Sequence, residues 1–570
     1  MKKSVFTKLL AILLTAFLVL SAAACGTGST NQDETSTVTE PAVSTAAENT
    51  AEAGPVDLLA KYTPEINLTA WRFLNNGIEF ELGESIENNV YTRSYKEDYG
   101  INLTYAWTVP EEQFDQKLNI SIASGDLPDI MWLKNKQLIE LAENDLLYDL
   151  TDLFETNTSD LTKSIMYQDQ AGFDSAKVDG RLMAIPHTGS AVDQLQILYV
   201  RTDWLKNLGL EVPKTMQDLL SVAEAFTNND PDKNNKNDTF GMALTKNFMK
   251  DNHAGATGFF AGYHGYIRRW VKDASGNLVY GTIQPQIKAG LQELQNMYRD
   301  GLLDKEFGVK DRPKVTESIA SGKVGITYGG MSSPGAFLKD NVLNDANAEW
   351  VALPLVSSDS QLAIPVTKMP VNRYYGVNKN CKNPEALLKL LESGSQGYSR
   401  EPATPEQIER NKKFGNTPSG IATWPYQVVG YEPALKNLNA HYNVLKALEM
   451  KDTSILNAEE LGYYEKTVKF NEGDRNFWGD ARIFATPSSF DVIGKYVDLK
   501  NVLYDGFYGA ITPTMVEKTA SLEAMEDEIF TNIIMGKPID LFDKFVTDWQ
   551  NLGGTQITKE VNEWYAKNKK

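Results

Sequence analysis

Between residues 230 and 239 the chain reads Asp230-Pro231-Asp232-Lys233-Asn234-Asn235-Lys236-Asn237-Asp238-Thr239. Oxygen-bearing side chains recur at positions 1, 3, 5 and 9 of this run, and the Lys236 backbone carbonyl stands at position 7. Alternate residues of a tight loop point inward, so this is the spacing with which an EF-hand-like loop holds a hard cation such as calcium. Two positions depart from that pattern. Asn235 occupies position 6 in place of Gly, and Asn tolerates the left-handed backbone needed there. Gly241 occupies position 12, where a bidentate Glu would close the shell, so other oxygens or water must complete it. The expected ligands are Asp230, Asp232, Asn234, Lys236 and Asp238, with a structural role; a solvated polar turn is the alternative.

A second kind of chemistry comes from aromatic rings. Sugars offer C–H faces that stack on such rings, and hydroxyls that bond to Asp, Asn, Arg and His. The chain has 10 Trp and 25 Tyr. Most aromatic side chains pack in cores, so position has to single out the others. Trp71, Arg72 and Phe73 end the first candidate strand, Trp132 to Asn135 end another, and Tyr328 ends a third. Strand carboxyl ends are where open α/β sheets place ligands. Trp424-Pro425-Tyr426 and Phe477-Trp478-Gly479-Asp480 form loop-like aromatic clusters. Arg268-Arg269 beside Trp270 reads first as a solvated surface pair, with a site for an acidic sugar as the other reading.

Catalytic signatures are missing from the sequence. There is no Gly-x-Ser-x-Gly, His-Glu-x-x-His or Cys-x-x-Cys, and no Gly-rich phosphate loop ending in Gly-Lys-Ser/Thr. Cys381, followed by Lys382 and Pro384, reads as part of a loop before a helix and not as a nucleophile. A glycosidase needs two carboxylates ~5–9.5 Å apart, which 75 acidic residues can supply; Asp480 beside Trp478 is the first suspect. An exported glycoside hydrolase or lyase is therefore the runner-up to a binding protein, and a surface sugar sensor is a third reading.

Composition bounds the partners and the compartment. Lys2, Lys3 and Lys8 give a basic start, Leu9 to Leu20 an apolar run too short to span a bilayer, and Ser21-Ala22-Ala23-Ala24 leads into Cys25. This resembles a bacterial lipoprotein signal that ends at a lipidated Cys25, although Ala22 stands where Leu is usual. Residues 26–56, rich in Thr, Ser, Ala, Glu and Gly, read as a disordered tether. Cys25 and Cys381 are the two cysteines, so lipid on Cys25 leaves no disulfide. The net charge is −19; removing the three signal lysines leaves 53 basic against 75 acidic residues, a surface that repels nucleic acid and anionic headgroups. A neutral ligand is the simpler expectation, since a polyanion would need a local basic pocket.

The elements that must position these groups alternate. Asn67–Trp71 reads as a strand, and Ile101, Leu103, Tyr105 and Trp107 recur with a period of two. Thr215 can cap a helix with Met216, Leu219, Leu220 and Ala223 on one face, and a strand is expected over Phe240–Leu244 after the acidic loop. Ile287, Leu291, Leu294 and Tyr298 share a helical face that Gly301 ends. Asn383-Pro384 opens a helix with Leu387, Leu388 and Leu391 inward, and Phe542, Phe545, Val546, Trp549 and Leu552 fall on one face before Gly553-Gly554. Such alternation indicates an α/β class with more than one sheet.

Several local signatures appear in order over residues 65–390: Ala123-Ser124-Gly125-Asp126-Leu127-Pro128-Asp129-Ile130-Met131-Trp132, Val178-Asp179-Gly180-Arg181-Leu182-Met183-Ala184-Ile185-Pro186, Leu198-Tyr199-Val200-Arg201-Thr202-Asp203-Trp204-Leu205, Tyr298-Arg299-Asp300-Gly301-Leu302 and Gly322-Lys323-Val324-Gly325. Together they resemble the extracellular solute-binding protein family 1, the maltose-binding-protein-like lipoproteins of carbohydrate ABC importers. The resemblance implies an α/β, two-lobed periplasmic-binding-protein-like fold of type II, with hinge crossovers near His187–Asp193, Gly322 and Tyr374–Val377. Lobe one would then comprise 57–190 and 322–372, and lobe two 191–321 and 373–570 with a C-terminal extension. It further implies a sugar-binding acidic residue at Asp193, a stacking ring at Trp270 and calcium in the acidic loop; His187 lies next to the hinge. The expected protein is a monomer anchored on the outer face of the cell membrane. It catalyses nothing, and it hands a carbohydrate, expected to be an oligosaccharide, to ABC permease subunits.

Overall fold

The structure is a computed structural model that describes residues 56–75, 78–369, 371, 373–398, 405–415, 417, 419, 421, 423–509 and 511–568. The signal, Cys25 and the tether up to residue 55 lie outside the described residues.

Nine strands build the two main sheets: β1 Ile66–Leu74, β2 Ile101–Pro110, β3 Ile130–Leu133, β4 Ile185–Pro186, β5 Ile197–Arg201, β6 Phe240–Met242, β7 Val324–Gly329, β8 Trp350–Leu353 and β9 Tyr374–Val377. The first sheet runs β2-β1-β3-β9-β4, with β1 parallel to β2 and β3, and β9 antiparallel to β3 and β4. The second runs β8-β5-β7-β6, with β5 antiparallel to both neighbours and β6 parallel to β7. Each sheet has its own core. Leu68, Trp71, Met131, Leu133, Ile185 and Val377 are buried around the first, joined by Leu387, Leu388 and Leu391 of helix Glu385–Ser395. Around the second lie Leu198, Val200 and Ile326, with Leu219 and Ala223 of helix Met216–Asn228 and Leu291 and Leu294 of helix Pro285–Arg299. These are the two lobes.

Local chemistry sets the helix ends. Thr215 and Asp218 form a reciprocal capping box, each side chain taking the other's backbone N–H. Gly301 takes a φ of 79° just beyond helix Pro285–Arg299. The apolar face of Leu541–Trp549 buries Phe542, Phe545 and Trp549, and Gly553, at φ 134°, turns the chain into the last helix, Thr555–Asn568.

The expected lobe boundaries need correction. Residues 322–372 were assigned to lobe one, yet β7 pairs with β5 and β6, and β8 with β5, in the second sheet. The reason is packing: β7 is buried along its whole length, and Gly325 presses its bare backbone on the rings of Phe226 and Trp204, where a Cβ would come within 2.7 Å of both. Conversely Tyr374–Val377, expected in lobe two, completes the first sheet, and Leu387, Leu391, Tyr426, Val428 and Tyr431 join the first core. There is no crossover at Gly322. The chain passes between lobes near 187–191, 367–373 and 431–436. These passes lie side by side: the His187 N–H donates to the Arg373 carbonyl at 2.9 Å, the Glu432 N–H to Thr188 at 3.0 Å, and the Thr367 hydroxyl to Ala191 at 2.9 Å.

An interlobe crevice as the candidate binding site

Beside the hinge, the lobes face each other across a crevice of about 660 Å³. The first lobe contributes Trp132 at the end of β3, His187, Arg373, Tyr375 and the loop carrying Trp424; the second contributes Gln196, Asn252, Thr257, Arg269 and Lys368. A wider space of about 1820 Å³ also opens between the lobes. Asn135 and Ser175 line one wall, and Trp270, Tyr504, Tyr508, Trp564 and Tyr565 the other.

Trp132 is almost fully buried and donates its indole N–H to the Val428 carbonyl at 2.7 Å. Its ring has the Arg373 guanidinium 4.4 Å away and that of Arg72 at 4.7 Å. Arg72 does not reach the crevice. It is fully buried and donates to the carbonyls of Pro425 at 2.7 Å, Tyr426 at 3.1 Å and Gln427 at 3.3 Å, pinning the loop that presents Trp424. Trp424 itself is 60% exposed, as a ring offered to a ligand must be.

His187 is held neutral. Burial, then the charge of Arg373, pushes its imidazole down to about 3. The Tyr375 hydroxyl accepts from the Gly430 N–H at 3.0 Å and shares a second hydrogen bond of 2.6 Å with His187 Nδ1. Asp193 accepts from the Ser190 hydroxyl at 2.9 Å and from Asn437 at 2.6 Å, and burial lifts its carboxyl to about 6. It thus ties the first pass between lobes to the residues just after the third.

Of the residues singled out from sequence, the structure brings Trp132, His187, Asp193 and Trp424 to the narrower crevice, and Asn135 and Trp270 to the wider space. The others lie elsewhere. Trp71 is fully buried and donates to the Trp132 carbonyl at 3.2 Å. Tyr426 stacks on Phe80 and donates to the Glu79 carbonyl. Tyr328 and Trp478 are buried in the second lobe. Asp480 pairs with Lys466 at 2.8 Å and lines neither space. The Arg268-Arg269 pair is no solvated surface pair: Arg268 is ringed by carboxylates and Arg269 lines the crevice. Sequence reading missed Arg373 and Tyr375, although they sit at an expected crossover, and the late aromatic residues Tyr504, Tyr508, Trp564 and Tyr565, which no local pattern marks. Burial pushes the Cys381 thiol up to about 12, the opposite of an activated nucleophile.

In the acidic loop, Asp230 accepts the backbone N–H groups of Asn234 and Asn235, both at 3.0 Å. Asn234 places its amide nitrogen between Asp232, at 2.7 Å, and Asp238, at 3.1 Å. Its carbonyl oxygen is turned to the Lys236 N–H, so it does not yet face the carboxylates. Asp232 is held above the ordinary carboxylate range by burial and by Asp230 and Asp238. Asn235 takes a φ of 60°, the left-handed backbone required at that position. No three His, Cys, Asp or Glu side chains among the described residues are gathered as ready metal ligands. Asp230, Asp232 and Asp238 nonetheless share this one loop, with the Asn234 amide bridging two of them.

Two lobes joined by three adjacent passes, with a polar and aromatic crevice between them, define a ligand-clasping protein. Residues 80–393 match the family model described as bacterial extracellular solute-binding protein, and the chain belongs to that family. Among characterised relatives, it is 28% identical over 482 residues to Lipoprotein LipO of Bacillus subtilis, covering 82% of this chain and 87% of that one. It is 29% identical over 234 residues to the polygalacturonan/rhamnogalacturonan-binding protein YtcQ of the same species, covering 40% of this chain and 44% of YtcQ. The fructooligosaccharide ABC transporter substrate-binding protein FusA of Streptococcus pneumoniae is 26% identical over 370 residues, 63% of this chain and 62% of FusA. The FusA structure with kestose superposes with a TM-score of 0.58 at 18% identity, over 88% of this chain and 99% of that one. A FusA EF-hand mutant gives 0.57 at 17% identity, with the same coverage.

Proposed function

We propose that this protein is a lipid-anchored receptor that captures an oligosaccharide in the interlobe crevice and delivers it, unaltered, to an ABC importer. The observation that carries the reading is the crevice itself: a narrow pocket with a fixed neutral His187, an exposed Trp424 and polar groups from both lobes, continuous in kind with a wider aromatic space sized for several sugar units. Hinge closure around a ligand gives the importer a shape that reports occupancy. YtcQ and FusA, both named for binding carbohydrate polymers or oligomers, support the ligand class. The basic, apolar and small-residue order ending at Cys25 supports the anchor, and with it a monomer tethered on the outer face of the membrane beside its permease subunits.

The acidic loop belongs to the same proposal as a structural calcium site, with Asp230, Asp232, Asn234 through its oxygen, the Lys236 carbonyl and Asp238 as ligands. Bound there, the cation would offset the repulsion among three carboxylates and stiffen the link between helix Met216–Asn228 and β6. The solved EF-hand mutant of FusA supports looking for it.

The test is calorimetry against a panel of neutral and acidic oligosaccharides, followed by chromatography of the released ligand. Saturable binding with intact sugar is expected. Cleavage of any panel member would replace this reading with that of an exported hydrolase or lyase.

A further inference from the structure

Arg268 and Arg269 are sequence neighbours in opposite surroundings. Arg268 is neutralised: Nε lies 2.8 Å from Glu526, Nη2 3.1 Å from Asp527 and Nη1 3.6 Å from Glu523. Lys250, also at the crevice, shares Glu523 and Asp527 at 3.5 and 3.2 Å. Arg269 spends Nη1 on the Arg268 carbonyl at 2.8 Å, and its Nε, shut off from water, has no hydrogen-bond partner. Elsewhere in this molecule that Nε–Nη2 edge takes a carboxylate with both atoms. Arg201 holds Asp203 in this way at 2.8 and 2.5 Å, and Arg299 holds Asp300 at 2.8 and 2.8 Å. At Arg269 no carboxylate among the described residues meets that edge.

Lys368 lines the same crevice, exposed to its water, and has no acceptor among the described residues. Of the acidic groups at the crevice, Glu111 stands on the first lobe, and those beside Arg269 and Lys368 are engaged. Asp505 accepts the Trp270 and Phe507 N–H groups at 3.0 and 3.2 Å. Asp251 accepts from the Thr245 hydroxyl, Asp193 from Ser190 and Asn437, and Glu432 pairs with Lys436. Asp505 lends some of its charge to both Arg269 and Lys368, yet among the described residues neither cation meets a carboxylate at hydrogen-bonding distance, in a chain with 75 acidic and 56 basic residues. Burial pushes the Arg269 guanidinium down, and burial, then the charge of Arg269, pushes the Lys368 ammonium down. An anion would relieve both.

We propose that the captured carbohydrate is a uronate, and that the unpartnered edge of Arg269, with Lys368 beside it on the second lobe, holds its carboxylate. This rests on the carbohydrate reading above and narrows it. Arg373 on the opposite wall, against the Trp132 face, adds to the positive field that greets the ligand.

The experiment is calorimetry on the full chain in detergent with short oligogalacturonates, their carboxyl-reduced counterparts and sulfated galactan oligosaccharides. Oligogalacturonates are expected to bind roughly tenfold to hundredfold more tightly than the reduced oligomers, and less tightly as salt rises. Arg269→Gln and Lys368→Met should each remove about tenfold of the preference for the charged over the reduced oligomer. Melting temperatures check folding, and Lys368→Met, at a solvent-exposed side chain, keeps the test decisive if Arg269→Gln fails to fold. Equal affinity for charged and reduced oligomers, or full uronate affinity in the folded variants, overturns the proposal and leaves the carbohydrate reading intact. Preference for the sulfated oligosaccharide overturns the carboxylate assignment. Failure of all three to bind overturns the proposal, and the carbohydrate reading falls with it only if the wider panel of oligosaccharides also fails to bind.

Discussion

Asp193 and Arg72 hold the crevice in place from behind. Burial lifts the Asp193 carboxyl to about 6, against an unfolded value of ~3.9. Between those values the native state binds the proton more tightly than the unfolded chain. This contribution to stability therefore falls as pH rises through that window and stays at its lower level above it. The swing is about 3 kcal/mol. His187 acts in the opposite sense: held down to about 3, it leaves the unfolded chain the better proton acceptor below ~6.5, so its contribution falls as pH drops. Asp193→Asn should thus gain on the wild type as pH rises from 4 to 6 in urea titrations, and parallel curves would count against a linked proton at this position. Arg72→Met strips donors from the carbonyls of Pro425, Tyr426 and Gln427 in a buried site; a loss of ~2–5 kcal/mol in denaturant stability is expected, with weaker sugar binding as the Trp424 loop loosens. An undiminished midpoint would refute the pinning role. The strand-end rule found Trp132 but also drew in Trp71 and Arg72, because it selects a height in the sheet and is blind to which neighbours close over each face. Trp71 lies under Trp107, while Arg72 is covered by the late loop at 425–427, three hundred residues away in sequence, and no local pattern reports that cover.

At the level of elements, local signals were the readable ones. The Thr215 cap, the Gly301 stop and the apolar faces of the helices near 287, 387 and 542 all appear where short-range rules place them, since a cap or an amphipathic stripe is satisfied within a few residues. Thr215→Ala should cost ~1 kcal/mol, read as a shift in the urea midpoint, because it frees the Asp218 N–H and breaks the reciprocal pair. The lobe to which a strand belongs was unreadable for β7 and β9: both are short buried runs, and their partners are set by packing across more than eighty residues. The acidic loop lies between these cases. Its oxygens were legible, while the turn of the Asn234 amide was not. Calcium at a hundredfold excess over its Kd should add about 2.7 kcal/mol of stability, and chelation should remove it. A melting temperature indifferent to both calcium and chelator would exclude the site, as would a response that survives Asp230→Asn.

For the molecule as a whole, the three adjacent passes make a hinge, which joins the first core to the two apolar clusters packed about the second sheet. Saturation with ligand should lower the radius of gyration in X-ray scattering, since groups from both walls have to reach one sugar. Unchanged scattering at saturation would contradict a closing crevice. The interleaving of the lobes has a consequence for synthesis. The first core is finished only when Val428, Val429 and Tyr431 arrive, after the whole of β5 to β8 has left the ribosome, and the second waits longer still for Phe530, Trp549 and Val561. Neither half is a contiguous stretch of message. A nascent chain therefore carries two incomplete bodies at once for most of its elongation, and this protein should depend on holding factors until its last helices emerge.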